Sequence, residues 1–401
     1  MFYFTVRQAE KFHQMSLEDL FSGRVFKPIE NDDTDSITHE VTGIAPGKRL
    51  KAQREAADLI IKLENFAEKH ENLYNADRDS LYNTFKIPKH HGGLRTINAP
   101  NEDLKDALEE LVRIMKKDFT FSTDGDSGIR QYHTSAYAYI KGRSTVKCVE
   151  KHMKNESRWF ARYDIHDFFG STNIDFVMKM LSMIYPFNYI VEYRRGAEAL
   201  RKALSLGFKD GGLPQGTPLS PYLINLMMIP FDFRVTCALR DFEVEKKGRT
   251  YKQNFVYTRY SDDMYVSCRM DFNPKQIENF ICETLRDLDA PFTLNRDKTK
   301  YNSNQGTTPN WMLGVQLNAQ NKVTVGSKRK KFAEAMVLSY AKDYKEGTLW
   351  ELGDIRHMMG ELSYISMVEK DNYKKMMEKV NRKAGFDVWN TANEEIKNRI
   401  G

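Results

Sequence analysis

The chain has 401 residues, with 61 Lys and Arg against 55 Asp and Glu, a net charge of +6. Hydrophobic residues make up 41% and aromatics 12%, which excludes a disordered chain, and 23 Gly with 12 Pro exclude a collagen-like one. No run approaches the ~18 uncharged apolar residues of a spanning helix, the start MFYFTVRQAEKFHQ lacks the order of a secretory signal, and four cysteines without a C-x-x-C pair predict reduced thiols of a cytoplasmic protein with no membrane partner.

Residues 1–80 read as a separate, partly helical N-terminal extension. They hold 11 Lys and Arg against 15 Asp and Glu, so the remaining residues carry +10. Asn31–Ser36 is polar and turn-prone and reads as a loop. The spacing of Leu50, Ala57, Leu59, Ile60, Leu63 and Phe66 predicts a helix from Gly47 to about Ala76. Phe85–Pro88 and Leu94–Ile97 flank His90-His91-Gly92-Gly93, a hairpin signal. Helical spacing returns over 104–119. Trp159–Ile165 and Asn254–Ser267 are short apolar stretches that run into acidic residues. Pro218–Arg240 is mostly apolar and reads as one buried helix. Near the end, Leu349, Leu352, Ile355, Met358, Met359, Leu362 and Ile365 recur every three or four residues, an amphipathic helix. Strands and helices mix without strict alternation, which predicts an α+β fold.

Within 296–331, Arg296, Lys298, Lys300, Lys322, Lys328, Arg329, Lys330 and Lys331 face Asp297 alone. Such a block suits either a polyanion contact or a solvated helix face.

Three segments carry chemistry. Arg259-Tyr260-Ser261-Asp262-Asp263-Met264 sets two adjacent carboxylates between apolar and aromatic residues. On a continuous strand the two would point to opposite faces; in a hairpin turn both can approach one site. Carboxylates placed together repel unless cations neutralise them, which suggests a divalent metal, although a surface turn also accounts for two aspartates. Asp164 ends the apolar stretch Phe160–Tyr163 and precedes Ile165-His166-Asp167-Phe168-Phe169, where a helix N-cap is the alternative. His166 reads as structural and Asp167 as a carboxylate outside the metal's direct ligands. The third segment, Gly211–Pro221, places three glycines, three prolines and Gln215 before a long apolar helix, suited to close approach of backbone to a ligand or simply to a connecting loop.

Taken in order, these segments resemble the reverse transcriptases, and specifically the bacterial retron-like and unknown-group, defence-associated ones. The matching motifs are GGLRTINAPNEDLK (92–105), YIKGRST (139–145), YDIHDFFGS (163–171), GLPQGTPLSPYLINL (212–226) and YSDD (260–263), continued by NRDKTK (295–300) and WMLGV (311–315). The resemblance covers roughly 81–330. It implies a right-hand polymerase: fingers and a palm with an antiparallel sheet over 81–320, and a helical thumb over 321–401. It implies RNA-directed DNA synthesis, with two Mg²⁺ ions, or Mn²⁺, joining dNTPs to a primer 3′-hydroxyl. The partners it implies are an RNA template, expected to be a non-coding RNA, and the DNA product, with a protein partner or second copy left open. By the same resemblance Asp164, Asp262 and Asp263 are the catalytic carboxylates, and with the Ile165 carbonyl they face the metals. Arg95, assisted by Lys86, contacts the incoming triphosphate, Gln215 and Gly216 pack near nucleotide and template, and Lys298, ahead of Lys300, protonates pyrophosphate. Phe169, five residues after Asp164, is the sugar gate that excludes a 2′-hydroxyl. Lys141, Arg143, Tyr260, Lys322, Lys328 and Lys331 contact nucleic acid.

Departures narrow the resemblance. Ser261 stands where many bacterial relatives have Ala. Retron enzymes carry Val-Thr-Gly after the palm, whereas here the only Val-Thr-Gly is Val41–Gly43. No Cys/His nuclease module, integrase or RNase H domain is expected. This turns the expectation toward stand-alone enzymes of antiphage defence. Retron-type synthesis of msDNA, a template-independent or protein-primed DNA synthase, and a degenerate RNA-binding scaffold are the other readings.

Overall fold

The computed structural model describes residues 46–88, 93–117, 132–184, 187–246, 249–306 and 312–400. The Asn31–Ser36 loop, Val41–Gly43, the His90–Gly92 part of the hairpin turn and Trp311 lie outside them. In chain order the elements are α1 (Pro46–Lys69), α2 (Glu71–Asn75), β1 (Tyr82–Pro88), β2 (Leu94–Pro100), α3 (Glu102–Lys117), α4 (Thr145–Lys154), β3 (Trp159–Asp164), α5 (Phe168–Ser171), α6 (Ile174–Leu181), α7 (Phe187–Val191) and α8 (Arg194–Ser205). They continue with α9 (Leu219–Met227), α10 (Ile229–Arg240), β4 (Glu243–Lys246), β5 (Arg249–Lys252), β6 (Val256–Tyr260), β7 (Asp263–Cys268), α11 (Pro274–Asp287) and β8 (Lys300–Ser303). The last are β9 (Gln316–Leu317), β10 (Val323–Thr324), α12 (Ser327–Lys345), α13 (Leu352–Val368), α14 (Lys370–Ala384) and α15 (Val388–Ile400).

The strands form a four-stranded sheet in the order β6-β7-β3-β8 and three two-stranded ribbons, β1-β2, β4-β5 and β9-β10. The three ribbons are antiparallel, and β3 meets β7 antiparallel as well, with Ile165 opposite Asp262 and Arg158 opposite Cys268. The α+β expectation therefore holds. The described residues divide into two compact units. One is drawn from the stretches up to Arg143, Ala161–Val266 and Phe272–Lys300, the other from Ser144–Phe160, Ser267–Asp271 and Tyr301 onward.

In the first unit α1 packs against α3, α7 and α8, burying Leu59, Leu63 and Phe66, one face of a helix. Residues 46–80, read from sequence as a separate element, are thus built into this unit. The predicted single helix over 47–76 breaks at His70, whose Nε2 meets Glu110 at 3.0 Å beside Lys69 at 2.7 Å. The predicted helix over 218–240 is two helices bent by 41°. Pro230 stands in the first turn of the second, where its missing N–H and fixed φ are tolerated but a continuous helix is not. Both helices are buried, and among the described residues no single helix is long and apolar enough to cross a membrane.

In the second unit α12–α15 enclose a core of Val337, Tyr340, Ile355, Met358, Leu362, Val380 and Val388. The predicted periodicity from Ile355 to Ile365 is the buried stripe of α13. Leu349, counted with it, is 73% exposed and precedes the helix. Glu369, between α13 and α14, accepts from Thr324 Oγ1 at 2.6 Å, the Val325 N–H at 2.8 Å and Lys330 Nζ at 2.9 Å. Burial pushes its carboxyl up, but these donors together hold it below the usual range. Two of the four basic residues opening α12 are therefore internal ties: Lys330 to Glu369, and Arg329 to Glu361 at 2.7 and 2.8 Å while stacked on Tyr364. Lys328 and Lys331 stay exposed, as does Lys322 before β10.

Candidate active site

The acidic pair lies at a hairpin turn. β6 ends at Tyr260 and β7 begins at Asp263, leaving Ser261-Asp262 as a two-residue turn with Ser261 at φ +61°. Asp164 is the last residue of the adjacent strand β3, where the expected alternative of a helix N-cap would have put it outside the sheet. The Ile165 N–H donates to the Asp262 carbonyl at 3.1 Å. In extended backbone the N–H and C=O of one residue point the same way, so the Ile165 carbonyl also faces the hairpin. On its other side the bonds from Asn295 N–H to the Asp164 carbonyl and from His166 N–H to the Thr293 carbonyl, each 2.8 Å, fix this strand end.

Three carboxylates thus converge where two sheet neighbours end. Asp164 is 3% exposed and Asp263 17%. Burial raises Asp262, and the charge of Asp164 adds to it against the pull of Lys298 and Arg95. Burial also pushes Asp263 up to about 6, with Arg162 opposing and Asp262 and Asp164 adding. The cost of crowding buried negative charge is met by two cations. Arg162 puts Nε and a terminal nitrogen on Asp263 Oδ1 at 2.9 and 2.7 Å, and Lys298 Nζ lies 2.9 and 3.1 Å from the two oxygens of Asp164. Among the described residues no three acidic, His or Cys side chains already stand as a metal-holding cluster; Asp164 and Asp263 each turn to a cation instead. A donor set of hard carboxylate oxygens with a backbone carbonyl, in surroundings that call for positive charge, fits a hard divalent ion.

Arg95 and Lys86 lie on the β1-β2 hairpin, but its register pairs Lys86 with Thr96 and Arg95 with Ile87. Side chains alternate faces, so the two cations point to opposite sides of the ribbon. The expected assistance of Arg95 by Lys86 is corrected, because the two side chains lie on opposite faces of the ribbon; the charge of Arg95 is felt at Asp262. The hairpin is tied to the glycine-rich loop by the Asn98 N–H, which donates to the Gln215 carbonyl at 2.9 Å. Gly216 permits this approach. It has φ +118°, and a Cβ there would lie 3.1 Å from both the Asn98 oxygen and Ile97 Cγ2.

Phe168 and Phe169 divide their roles. Phe168 is core, edge-on to Phe292 at 5.0 Å, whereas Phe169 is half-buried. Tyr260, at the end of β6, is half-buried too. Lys141 is exposed. Arg143 is not available in the same way: its guanidinium donates to the Thr134 carbonyl at 2.8 Å and to the Ala136 carbonyl, and it lies over the rings of Tyr132 and Tyr137 at 4.8 and 4.9 Å. Its placement as a phosphate contact is corrected to a brace for 134–137, the segment whose Ser135 and Tyr137 bond the backbone of Arg259 on β6.

Two groups in this site escaped the sequence reading. Arg162 stands two residues before Asp164, hence on the same face of β3, a signal available from strand alternation. The other is a fully buried pair, Arg259 with Asp232 of α10, at 2.8–3.1 Å, which also takes the Tyr257 hydroxyl at 2.7 Å. Arg259 donates a further bond to the Ser261 carbonyl at 3.1 Å and so holds the acidic turn from beneath.

Residues 87–321 match the family described as reverse transcriptase (RNA-dependent DNA polymerase). The chain belongs to the reverse transcriptase family. Among curated relatives, the Retron Ec73 reverse transcriptase of Escherichia coli is 28% identical over 221 residues, 55% of this chain and 64% of the relative. The Retron Ec83 reverse transcriptase of Escherichia coli is 23% identical, over 72% of this chain and 83% of the relative. The Retron Mx65 reverse transcriptase of Myxococcus xanthus is 22% identical, over 75% and 64%. The chain therefore spans about two thirds of the length of the first and third of these. Telomerase from Candida albicans with a fragment of telomeric RNA aligns at a TM-score of 0.40 and 14% identity, over 74% of this chain and 54% of that one. The retron names stand although this reverse transcriptase lacks a Val-Thr-Gly after YSDD, so the resemblance to retron enzymes holds without that motif.

Proposed function

We propose that this reverse transcriptase copies an RNA template into DNA, adding dNTPs to a primer 3′-hydroxyl in the cytoplasm. The observation that carries this reading is the convergence of Asp164 with the Asp262-Asp263 hairpin at one end of the sheet. Asp164, Asp262, Asp263 and the Ile165 carbonyl would hold two divalent ions, Mg²⁺ or Mn²⁺, whose chemistry is to lower the charge on the attacking and leaving oxygens. Arg162 and Lys298 balance the carboxylates and release them to the ions. Lys298, half exposed beside Asp164, is then placed to give a proton to the leaving pyrophosphate, ahead of the exposed Lys300. Arg95 offsets charge on the incoming triphosphate. In domain terms, fingers and palm take 81–320 and a helical thumb takes 321–401. A primed homopolymeric RNA with dNTPs and Mg²⁺ tests the reading: extension by the purified chain supports it, and no extension with Mg²⁺ or Mn²⁺ overturns it. Retron-type synthesis, in which a partner non-coding RNA is copied into msDNA, is a second reading that the relatives' names favour. The antiphage role rests on resemblance.

Two further results are expected. Phe169→Ala should raise ribonucleotide use relative to deoxyribonucleotide about ten- to a hundredfold, the scale of a steric pocket. An unchanged ratio of kcat/KM values would assign Phe169 to packing. Replacing Lys328 and Lys331, which share a face of α12 at i, i+3, should weaken template–primer binding without altering template preference. The slope of log affinity against log salt should flatten by about one to two units. Titrations at several salt concentrations decide it, and an unchanged slope makes this a solvated helix face.

A further inference from the structure

The turn that carries Phe169 is pressed against the glycine-rich loop. A Cβ on Gly212 would lie 2.2 Å from the Gly170 carbonyl oxygen, 2.8 Å from its carbon and 2.9 Å from its Cα. All three are backbone atoms and cannot swing aside. One residue on, the Leu213 N–H donates to the Phe169 carbonyl at 2.9 Å, which also accepts from the Thr172 N–H at 3.2 Å. Gly212 is equally fixed from behind. Lys209 and Gly212 exchange two backbone bonds of 3.0 Å around Asp210-Gly211, at φ +53° and +80°, a tight hairpin turn of the left-handed kind. Lys209 anchors that turn: its side chain is 8% exposed, pairs with Asp79 and lies over the Tyr82 ring at 5.6 Å.

The Gly170–Gly212 contact has no slack, and the residue between its two ties is Phe169. We propose that Gly212 is a specificity-determining positioning residue: the absence of a side chain there sets how far the Phe169 ring reaches toward the sugar of the incoming nucleotide. The inference rests on Phe169 being the gate. A methyl at 212 has to push the Gly170 backbone about 1 Å before the contact becomes tolerable, and displacements of that size at a reacting centre cost up to about a hundredfold.

The test measures kcat/KM for a dNTP and for the matching rNTP in five proteins: the parent, Gly212→Ala, Phe169→Ala, the double variant and Gly211→Ala. Gly212→Ala should lower discrimination against the ribonucleotide at least about fivefold. In the double variant the ratio should equal that of Phe169→Ala alone, because without the ring its position no longer matters. Gly211→Ala strains the same turn through its positive φ, but its Cβ meets nothing within 4 Å, and its ratio should match the parent's. If Phe169→Ala moves the ratio but Gly212→Ala does not, or the two effects simply add, or Gly211→Ala does the same, the inference is overturned and the gate stands. If Phe169→Ala leaves the ratio where it was, the gate reading itself fails. Should Gly212→Ala not fold, Lys209→Ala replaces it: it releases the turn that holds Gly212 against Gly170 from its anchor on Asp79 and Tyr82, and should likewise lower discrimination. A parental ratio in that variant would equally overturn the inference.

Discussion

Asp262→Ala is expected to abolish polymerisation while leaving the fold and RNA binding nearly intact. Asp262 sits half-buried in a two-residue turn at the strand end, so truncation removes little packing, and the one bond its carboxylate accepts comes from its own backbone N–H. On the proposed reading, what it removes is one of the three carboxylates that would hold the divalent ions. A loss of several kcal/mol in the transition state corresponds to about a thousandfold or more in rate. Single-turnover dNTP incorporation, alongside circular dichroism and RNA binding, separates the two contributions. Robust incorporation by the folded variant would remove Asp262 from the catalytic set.

Asp232→Ala should destabilise the first unit by about 3–5 kcal/mol. The reason is asymmetric: it strands the Arg259 guanidinium at zero exposure and removes the carboxylate that accepts from the Tyr257 hydroxyl, while creating a small void. A shift of the urea midpoint to lower concentration would show it. Replacing the whole group with apolar residues, Asp232→Leu with Arg259→Met and Tyr257→Phe, should recover most of that stability, since no buried charge is left unpaired. Polymerisation should not recover, because the bond from Arg259 to the Ser261 carbonyl is gone and the acidic turn loses its brace. Full activity in the stable triple variant would show that Arg259 serves stability alone.

The reading from residues reached the chemistry because polymerase motifs are local. Asp164 at the end of an apolar stretch, two aspartates between aromatic runs, and Leu-Pro-Gln-Gly before an apolar helix each declare themselves within a dozen residues. Periodicity likewise placed the buried stripe of α13, because that face packs on one core. Where it failed, the deciding contact lay far along the chain. The 218–240 helix bends because Pro230 falls where a second helix can start, and periodicity alone could not separate one helix from two. Lys86 and Arg95 share a motif but face opposite ways, since pairing register sets their sides. Arg143, Arg329 and Lys330 were counted as available charge, yet carbonyls and carboxylates up to 39 residues away consume them.

By itself, then, the sequence determined the α+β class, the reverse transcriptase family and the order of the motifs that carry it, through spacing and residue type within short windows. Only the tertiary structure decided which cations neutralise the three carboxylates, that Asp232 and Arg259 form the buried support of the acidic turn, and that two glycines 42 positions apart touch at the backbone. The physical reason is common to all three. Burial removes water as the alternative partner, so a charge or a backbone atom must take whichever neighbour the fold delivers, and that neighbour carries no signature in the surrounding residues.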